Sequence, residues 1–213
     1  LMAASKFTAN NVARLRAGRQ DFYAAHEGIE LSGATIGVVG HGRIGSRVAR
    51  MCAAMDMRVI VCDPYVEVVE HEQVDLDVIL TESRIITMHT PLTDETRNLL
   101  DAAAFARMQD GVIIVNAARG GVIDTQALVD ALDSGKVYAA GLDVTAPEPL
   151  DPEHTLLNRD NVVVTPHIAS ATDKGRVRMY SGAIENARQV LAGERPVDCV
   201  NPHVYEVLEG RSS

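Results

Sequence analysis

The segment GHGRIG at residues 40–45 has the glycine spacing of a loop that binds the phosphates of a dinucleotide. Gly40 permits a tight turn, Gly42 lets the backbone approach a pyrophosphate, and Gly45 lets a helix pack closely against a strand. The helix that follows would offer unpaired backbone N–H groups and the positive end of its dipole to the phosphates. The spacing therefore predicts a dinucleotide site.

Asp63 strengthens this interpretation, because it lies at the end of the next apolar run, 18 residues beyond Gly45. A carboxylate about 20 residues after such a loop accepts hydrogen bonds from ribose hydroxyls. Its charge would repel a 2′-phosphate, so the pattern favours NAD over NADP. The structural alternative is a glycine turn followed by an aspartate that caps a helix.

Further polar residues follow apolar runs at Arg119, at Asp143 with Glu148, and at His167. Ligands of an open parallel sheet bind outside the carboxyl ends of its strands. We therefore expect Arg119, Glu148 and His167 to converge in space. Each residue alone also fits a structural interpretation: a solvated arginine, a capping aspartate, a Glu-Pro turn, or a histidine in a helix-initiating turn.

The elements that would position these residues are six short apolar runs with helical patterns between them. The runs are 34–39, 58–62, 84–89, 111–116, 138–144 and 161–167. They are nearly continuous, which is typical of strands buried on both faces. Asp124 suits the N-cap of a helix over 125–134. The sequence predicts an α/β fold of Rossmann type, a doubly wound parallel sheet with helices on both faces.

The predicted NAD-binding domain covers residues 1–193. We expect a helix over 1–18, a core over 34–170, and a C-terminal helix over 172–193 that ends near Gly193. Residues 194–213 are expected to form a tail outside this domain.

Six ordered motifs resemble those of the D-2-hydroxyacid dehydrogenase family. They are GVVGHGRIG, VCDPY, HTPLTDETRNLL, VNAARGGVID, GLDVTAPEPL and VVVTPHIAS. The resemblance covers about residues 30–200. The resemblance implies an NAD-dependent enzyme that reversibly reduces a small 2-oxoacid to a D-2-hydroxyacid. Glyoxylate, hydroxypyruvate and 3-phosphohydroxypyruvate are the expected substrate types. The formate-oxidising branch, which has Gln at the position of Glu148, is disfavoured.

The resemblance assigns three catalytic roles. Arg119 would bind the substrate carboxylate and keto oxygen, His167 would be the general acid/base, and Glu148 would hydrogen-bond the imidazole. A guanidinium offers a carboxylate a planar two-pronged donor, and an imidazole titrates near neutrality, so these residue types suit the chemistry. A buried neighbouring carboxylate is expected to raise the pKa of the histidine and to fix its tautomer.

The resemblance also implies the cofactor contacts. These are Arg43 and Ile44 at the pyrophosphate, Asp63 at the adenosine ribose, Thr90 and Pro91 beside the adenosine, and Ala117 (backbone) and Asp143 (side chain) at the nicotinamide end. Family members begin with a further α/β domain of roughly 100 residues. We therefore expect this chain to be a fragment whose tail returns to that domain. The alternative function is that of a non-enzymatic NAD-sensing corepressor on the same fold.

Composition narrows the function further. The net charge is −9 and the pI is near 5.2, which argues against nucleic-acid and anionic-membrane partners. No apolar run approaches the ~20 residues of a membrane span, and no signal peptide is recognisable. The cysteines Cys52, Cys62 and Cys199 have no metal-ligand spacing, so no metal site is expected. We expect a cytoplasmic protein. The family resemblance implies a two-fold homodimer formed through this domain, which would cover the apolar face of the helix over 1–18. The alternative is that this face packs on the further α/β domain.

Overall fold

The computed structural model describes residues 1–19 and 27–209 of the 213-residue chain. It divides into two compact units, Leu1–His167 and Ile168–Ser213. The first unit contains the sheet and its apolar cores, and the long helix of the second unit has no buried residue.

The first unit contains a seven-stranded sheet in which every pairing is parallel. The strands are β1 (Thr35–Val39), β2 (Arg58–Cys62), β3 (Glu72–Gln73), β4 (Ile85–Met88), β5 (Val112–Asn116), β6 (Val137–Leu142) and β7 (Val162–Val164). Their spatial order is β3-β2-β1-β4-β5-β6-β7. All six predicted runs form strands. The pattern missed only β3, a two-residue edge strand whose side chains are polar and exposed.

Helices cover both faces of this sheet, as predicted. They are α1 (Met2–Ser5), α2 (Thr8–Arg16), α3 (Gly45–Ala54), α4 (Leu76–Glu82), α5 (Ala102–Arg107) and α6 (Thr125–Asp133). One apolar core joins α1 and α3 to Ile36, Ile85 and Ile113. The other joins α4, α5 and α6 to neighbouring strand residues such as Ile86 and Ile114. Alternate residues of β1, β2, β4 and β5 thus enter opposite cores, which explains their continuous apolar runs.

The helix predicted over 1–18 is two helices, because the chain turns at Phe7. Phe7 has a φ of 50° and a buried side chain. Its ring packs edge-to-face on Tyr138 with 5.3 Å between the centroids. Burial of this ring on the sheet favours the break over a continuous helix. Consequently α1 packs on the sheet, while Val12 and Leu15 of α2 stay exposed.

The predicted N-cap at Asp124 is present in the structure. Asp124 accepts hydrogen bonds from the backbone N–H groups of Gln126 and Ala127, both at 3.0 Å, as predicted for an N-cap. In the second unit, α7 (Asp173–Leu191) lies within the predicted helix, and a further helix, α8 (His203–Glu209), occupies the predicted tail.

Within residues 1–19 and 27–209, no helix combines the length and apolar character needed to span a bilayer.

Candidate active site

The predicted site residues follow the carboxyl ends of the strands. The chain runs from β1 to β2 on one side and later returns to β4 on the other side of β1. In such a sheet, the crevice outside the ends of β1 and β4 is where ligands bind. The loops after β1, β2, β4, β5, β6 and β7 begin at Gly40, Asp63, His89, Ala117, Asp143 and Thr165.

The three glycines of the loop after β1 have different surroundings. Gly40 has a φ of 94°, and a Cβ there would lie 2.8 Å from the backbone carbonyl of His89. A Cβ on Gly45 would collide with the carbonyl oxygen of Gly40, whereas a Cβ on Gly42 would meet no atom within 4 Å. Two glycines therefore permit close packing of the loop, and the middle one leaves its surface open to a ligand.

Asp63 organises the backbone beside this loop. Its Oδ2 accepts a hydrogen bond from the His41 N–H at 2.7 Å, and its Oδ1 accepts from the N–H groups of Tyr65 and Val66 at 2.9 and 3.1 Å. Asp63 thus holds the bend that follows β2, and no helix begins there, so the helix-capping alternative is wrong. A carboxylate has about four acceptor positions, so these three bonds leave Asp63 able to accept one more, from a ribose hydroxyl.

A cleft of about 560 Å³ lies at this edge of the sheet, with Gly40, Gly42, Asp63, Thr90 and Pro91 in its lining. The Thr90 hydroxyl oxygen is buried and has no hydrogen-bond partner among the described residues. A buried polar atom normally has a partner, so a bound polar group would satisfy it. The open space over Gly42 and the buried Thr90 hydroxyl are both compatible with a bound dinucleotide.

This region also contains Arg43 and Ile44, which were predicted to contact the pyrophosphate, and the partly buried His89. Arg43 and Ile44 lie directly before α3, and the Ile44 side chain is 65% exposed. His89 also lines the cleft, and burial lowers its pKa to about 4. Its Nε2 is 3.0 Å from the Thr87 hydroxyl. His89 is therefore a neutral imidazole at physiological pH.

His167 and Glu148 form a hydrogen-bonded pair. The Nδ1 atom of His167 is 2.7 Å from Oε1 of Glu148, in a second cleft of about 540 Å³ that Asp143 also lines. The side chains of His167 and Glu148 are 50% and 41% exposed. The expectation of a buried carboxylate is therefore wrong. Both residues belong to loops beyond the strand ends, where the sheet no longer covers them.

The backbone at His167 has an uncommon conformation. Its φ is 53°, in the left-handed region, and its N–H donates a hydrogen bond to the Asp143 carbonyl at 2.8 Å. Such conformations are uncommon in residues other than glycine and persist where the surroundings fix them. The loop after β7 is thereby tied to the loop after β6, which holds Asp143.

Asp143 is 9% exposed and accepts a hydrogen bond from the Thr165 hydroxyl at 2.6 Å. Its own N–H donates to the Asn116 carbonyl at 2.8 Å. Asp143 thus joins the ends of β5, β6 and β7. Sequence reasoning missed Thr165, although its position directly after an apolar run is the same signal that identified His167.

The loop of Arg119 is held by Asn116, which is 1% exposed. The Asn116 amide donates to the Arg119 carbonyl at 2.9 Å and accepts from the Ala118 N–H at 3.0 Å. Gly120 packs so tightly on the Thr145 carbonyl that a Cβ would collide with it. Sequence reasoning gave Asn116 no role, although a polar residue closing an apolar strand is a recognisable signal.

Of the three predicted catalytic side chains, those of His167 and Glu148 are in direct contact, and that of Arg119 is held separately. The exposed guanidinium of Arg119 donates from Nη1 to the Ala118 carbonyl at 2.7 Å. Its loop reaches the segment of Glu148 through the contact of Gly120 with Thr145. Ala117, predicted to contact the nicotinamide end, is exposed directly after β5.

Residues 1–169 match a family model described as "D-isomer specific 2-hydroxyacid dehydrogenase, NAD binding domain". The chain belongs to this family. The resemblance seen in the motifs, the Rossmann-type fold and NAD as the cofactor are thereby confirmed. Dehydrogenases of this family act on small 2-hydroxyacids, and the chain contains the part that binds the cofactor.

Curated relatives of the family are longer than this chain. The D-3-phosphoglycerate dehydrogenase of Archaeoglobus fulgidus is 48% identical over 157 residues, which are 71% of this chain and 30% of the relative. The hydroxypyruvate reductase of Thermotoga maritima is 43% identical over 189 residues, which are 87% of this chain and 61% of the relative. The chain thus spans less than two thirds of either relative.

A solved structure of the family shows the same architecture. The D-lactate dehydrogenase of Aquifex aeolicus, complexed with NAD and lactic acid, superposes with a TM-score of 0.79 at 31% sequence identity. The match covers 91% of this chain and 64% of that one.

Proposed function

We propose that this chain is the cofactor-binding part of an NAD-dependent oxidoreductase that interconverts a small 2-oxoacid and a D-2-hydroxyacid. The observation that carries the proposal is the 2.7 Å contact between His167 and Glu148 in a cleft shared with Asp143. Glyoxylate, hydroxypyruvate and 3-phosphohydroxypyruvate are the proposed substrate types. Relatives named D-3-phosphoglycerate dehydrogenase, hydroxypyruvate reductase and glyoxylate reductase support this range.

The cofactor would be held along the strand ends. We assign its phosphates to Gly40, Gly42, Arg43, Ile44 and Gly45, its adenosine to Asp63, Thr90 and Pro91, and its nicotinamide end to Ala117 and Asp143. When bound, NAD supplies or accepts a hydride. Two observations support this placement: the open surface over Gly42, and the Thr90 hydroxyl, which has no hydrogen-bond partner among the described residues.

His167 would hold and move the proton. Because Nδ1 faces the Glu148 carboxylate, Nδ1 carries a hydrogen and Nε2 is the atom that exchanges a proton. In the reducing direction, protonated Nε2 donates to the oxygen of the former keto group. In the oxidising direction, Nε2 accepts the hydroxyl proton. Glu148 accepts the Nδ1 hydrogen and fixes the orientation of the ring.

Arg119 would bind the substrate carboxylate. Its guanidinium is exposed directly beyond β5, and Asn116 fixes the backbone that presents it. A planar guanidinium can donate two parallel hydrogen bonds to a carboxylate, which both attracts and orients a 2-oxoacid. Among the described residues, its partner is the backbone carbonyl of Ala118, so little has to be broken when an acid binds.

The proposed setting is a cytoplasmic homodimer without nucleic-acid or membrane partners. The net charge of −9 opposes binding to polyanions. The three cysteines are unpaired, as expected of a reducing compartment. The exposed Val12 and Leu15 of α2 offer apolar surface to a second copy.

Turnover by the full-length protein tests the proposed function. NADH consumption would be followed with glyoxylate, hydroxypyruvate and 3-phosphohydroxypyruvate, and the chirality of the product would be determined. We expect saturable turnover of at least one substrate and a D-product. Intact NADH binding without turnover of any 2-oxoacid would instead favour an NAD-sensing protein.

A further inference from the structure

A second carboxylate lines the proposed adenosine end of the cofactor cleft. Glu95 belongs to the loop after β4, whereas Asp63 follows β2, and β2 and β4 pair with opposite sides of β1. Both carboxylates line the same cleft. The Tyr65 hydroxyl donates a hydrogen bond to Oε2 of Glu95 at 2.6 Å, which links the loop after β2 to the loop after β4.

Both carboxylates act on the hydroxyl of Tyr65, a residue that lines the cleft. The pKa of Tyr65 is raised, first by its hydrogen bond to Glu95, then by the charge of Glu95, with a further contribution from the charge of Asp63. A charge that acts on the Tyr65 hydroxyl also acts on other groups bound nearby. Glu95 and Asp63 therefore contribute to one negative region.

The two carboxylates differ in how far their charge is compensated. Asp63 accepts hydrogen bonds from three backbone N–H groups, whose dipoles offset part of its charge. The described side-chain contact of Glu95 is with a neutral phenol. Glu95 therefore presents the less compensated charge to the cleft.

We propose that Glu95, positioned by Tyr65, is a second determinant of cofactor choice that disfavours a 2′-phosphate on the adenosine ribose. The proposal rests on the proposed role of this cleft as the adenosine site. A phosphate monoester carries up to two negative charges near neutral pH, and like charges in a partly desolvated cleft repel. The uncharged ribose hydroxyl of NAD does not encounter this repulsion.

Calorimetric titration of the full chain with NADH and with NADPH tests this role without measuring activity. Glu95→Gln keeps the size and an acceptor for Tyr65 but removes the charge. We expect the ratio of the NADPH Kd to the NADH Kd to fall by roughly three- to tenfold, with the NADH Kd within about twofold of wild type. The change should shrink as salt is raised, because salt screens charge.

Two further variants distinguish an effect of the position of Glu95 from an effect of the net charge of the chain. Asp94→Asn removes the same charge one residue away, at a side chain outside the lining of the cleft, and should leave the Kd ratio unchanged. Tyr65→Phe frees Glu95 and should change the ratio in the same direction as Glu95→Gln, by less. Thermal melts would confirm that all variants are folded.

The outcomes are distinct. An unchanged ratio in folded Glu95→Gln, or an equal change in Asp94→Asn, would overturn the role of Glu95. If Asp63→Asn changed the ratio while Glu95→Gln did not, the adenosine site would stand and this inference would fail. Failure of the folded wild-type chain to bind NADH would remove the cofactor site and this proposal together.

Discussion

The Nδ1 atom of His167 lies 2.7 Å from Oε1 of Glu148, and these residues are 19 positions apart in the chain. Their loops follow β6 and β7, which are neighbours in the sheet. The pairing engages one ring nitrogen of His167 and leaves Nε2 for a substrate. The proposed chemistry depends on this arrangement.

His167→Ala should lower kcat of the full-length protein by about 10²- to 10⁴-fold, the usual contribution of a positioned general acid. The Kd of NADH should change little, because the imidazole is proposed to act on the substrate oxygen. Steady-state kinetics and NADH titration would measure the two quantities. His203→Ala, on α8, is the matched control. Near wild-type turnover by folded His167→Ala would remove the catalytic assignment.

Glu148 should act through His167, as a positioning residue. Glu148→Gln keeps an acceptor for Nδ1–H but loses the charge, whereas Glu148→Ala loses both. We therefore expect kcat to fall in the order wild type, Gln, Ala, with each variant milder than His167→Ala. Equal kcat values for the Gln and Ala variants would show that the hydrogen bond of Glu148 does not orient the imidazole.

Arg119→Lys should mainly lower kcat/KM for the 2-oxoacid. A lysine keeps the charge but cannot make two parallel hydrogen bonds to a carboxylate. We expect a loss of roughly 10- to 100-fold, corresponding to about 1.4–2.8 kcal/mol of transition-state binding. The NADH Kd should stay unchanged. Wild-type kcat/KM in Arg119→Lys would exclude two-pronged binding by this residue.

His89 should make the free energy of unfolding depend on pH. Burial lowers its pKa from 6.5 to about 4 in the folded chain. Between these values the unfolded chain binds the proton more strongly, so stability is lost as the pH falls from about 6.5 towards 4. At pH 5 this loss should be about 2 kcal/mol relative to pH 7.

Urea unfolding at pH 7 and pH 5 would measure this loss. In His89→Gln the difference between the two pH values should shrink by about 2 kcal/mol, even if the variant is less stable at both. His203→Gln, an exposed histidine outside the sheet, is the control. An unchanged difference in His89→Gln would show that burial of this imidazole does not control the acid sensitivity.

Much of the fold could be predicted because a strand that is buried on both faces consists almost entirely of apolar residues. Six strands and the Asp124 cap follow from such local patterns. The break at Phe7 could not be predicted, since it depends on the packing of its ring against Tyr138, which is distant in the chain. Strand β3 could not be predicted either, because its two residues are polar.

The site was predictable in position but not in its supporting contacts. Strand ends identified His167 and Glu148, and the structure pairs them. Their exposure was not predictable, because it depends on how far each loop extends beyond the sheet. The hydrogen bond between Tyr65 and Glu95 joins two loops through exposed side chains. Such a contact could not be predicted, because it produces no periodic pattern in the sequence.

The central claim is that the strand ends hold NAD, and titration of NADH into the chain and its Gly42→Val variant tests it most directly. A Cβ at Gly42 meets no atom within 4 Å, so the variant should fold normally while its side chain blocks the approach of the phosphates. We predict saturable binding by wild type and at least a ~100-fold weaker Kd for the equally stable variant, from about 2.7 kcal/mol of lost contacts. Absence of NADH binding by the folded wild-type chain, or wild-type affinity in Gly42→Val, would contradict the account.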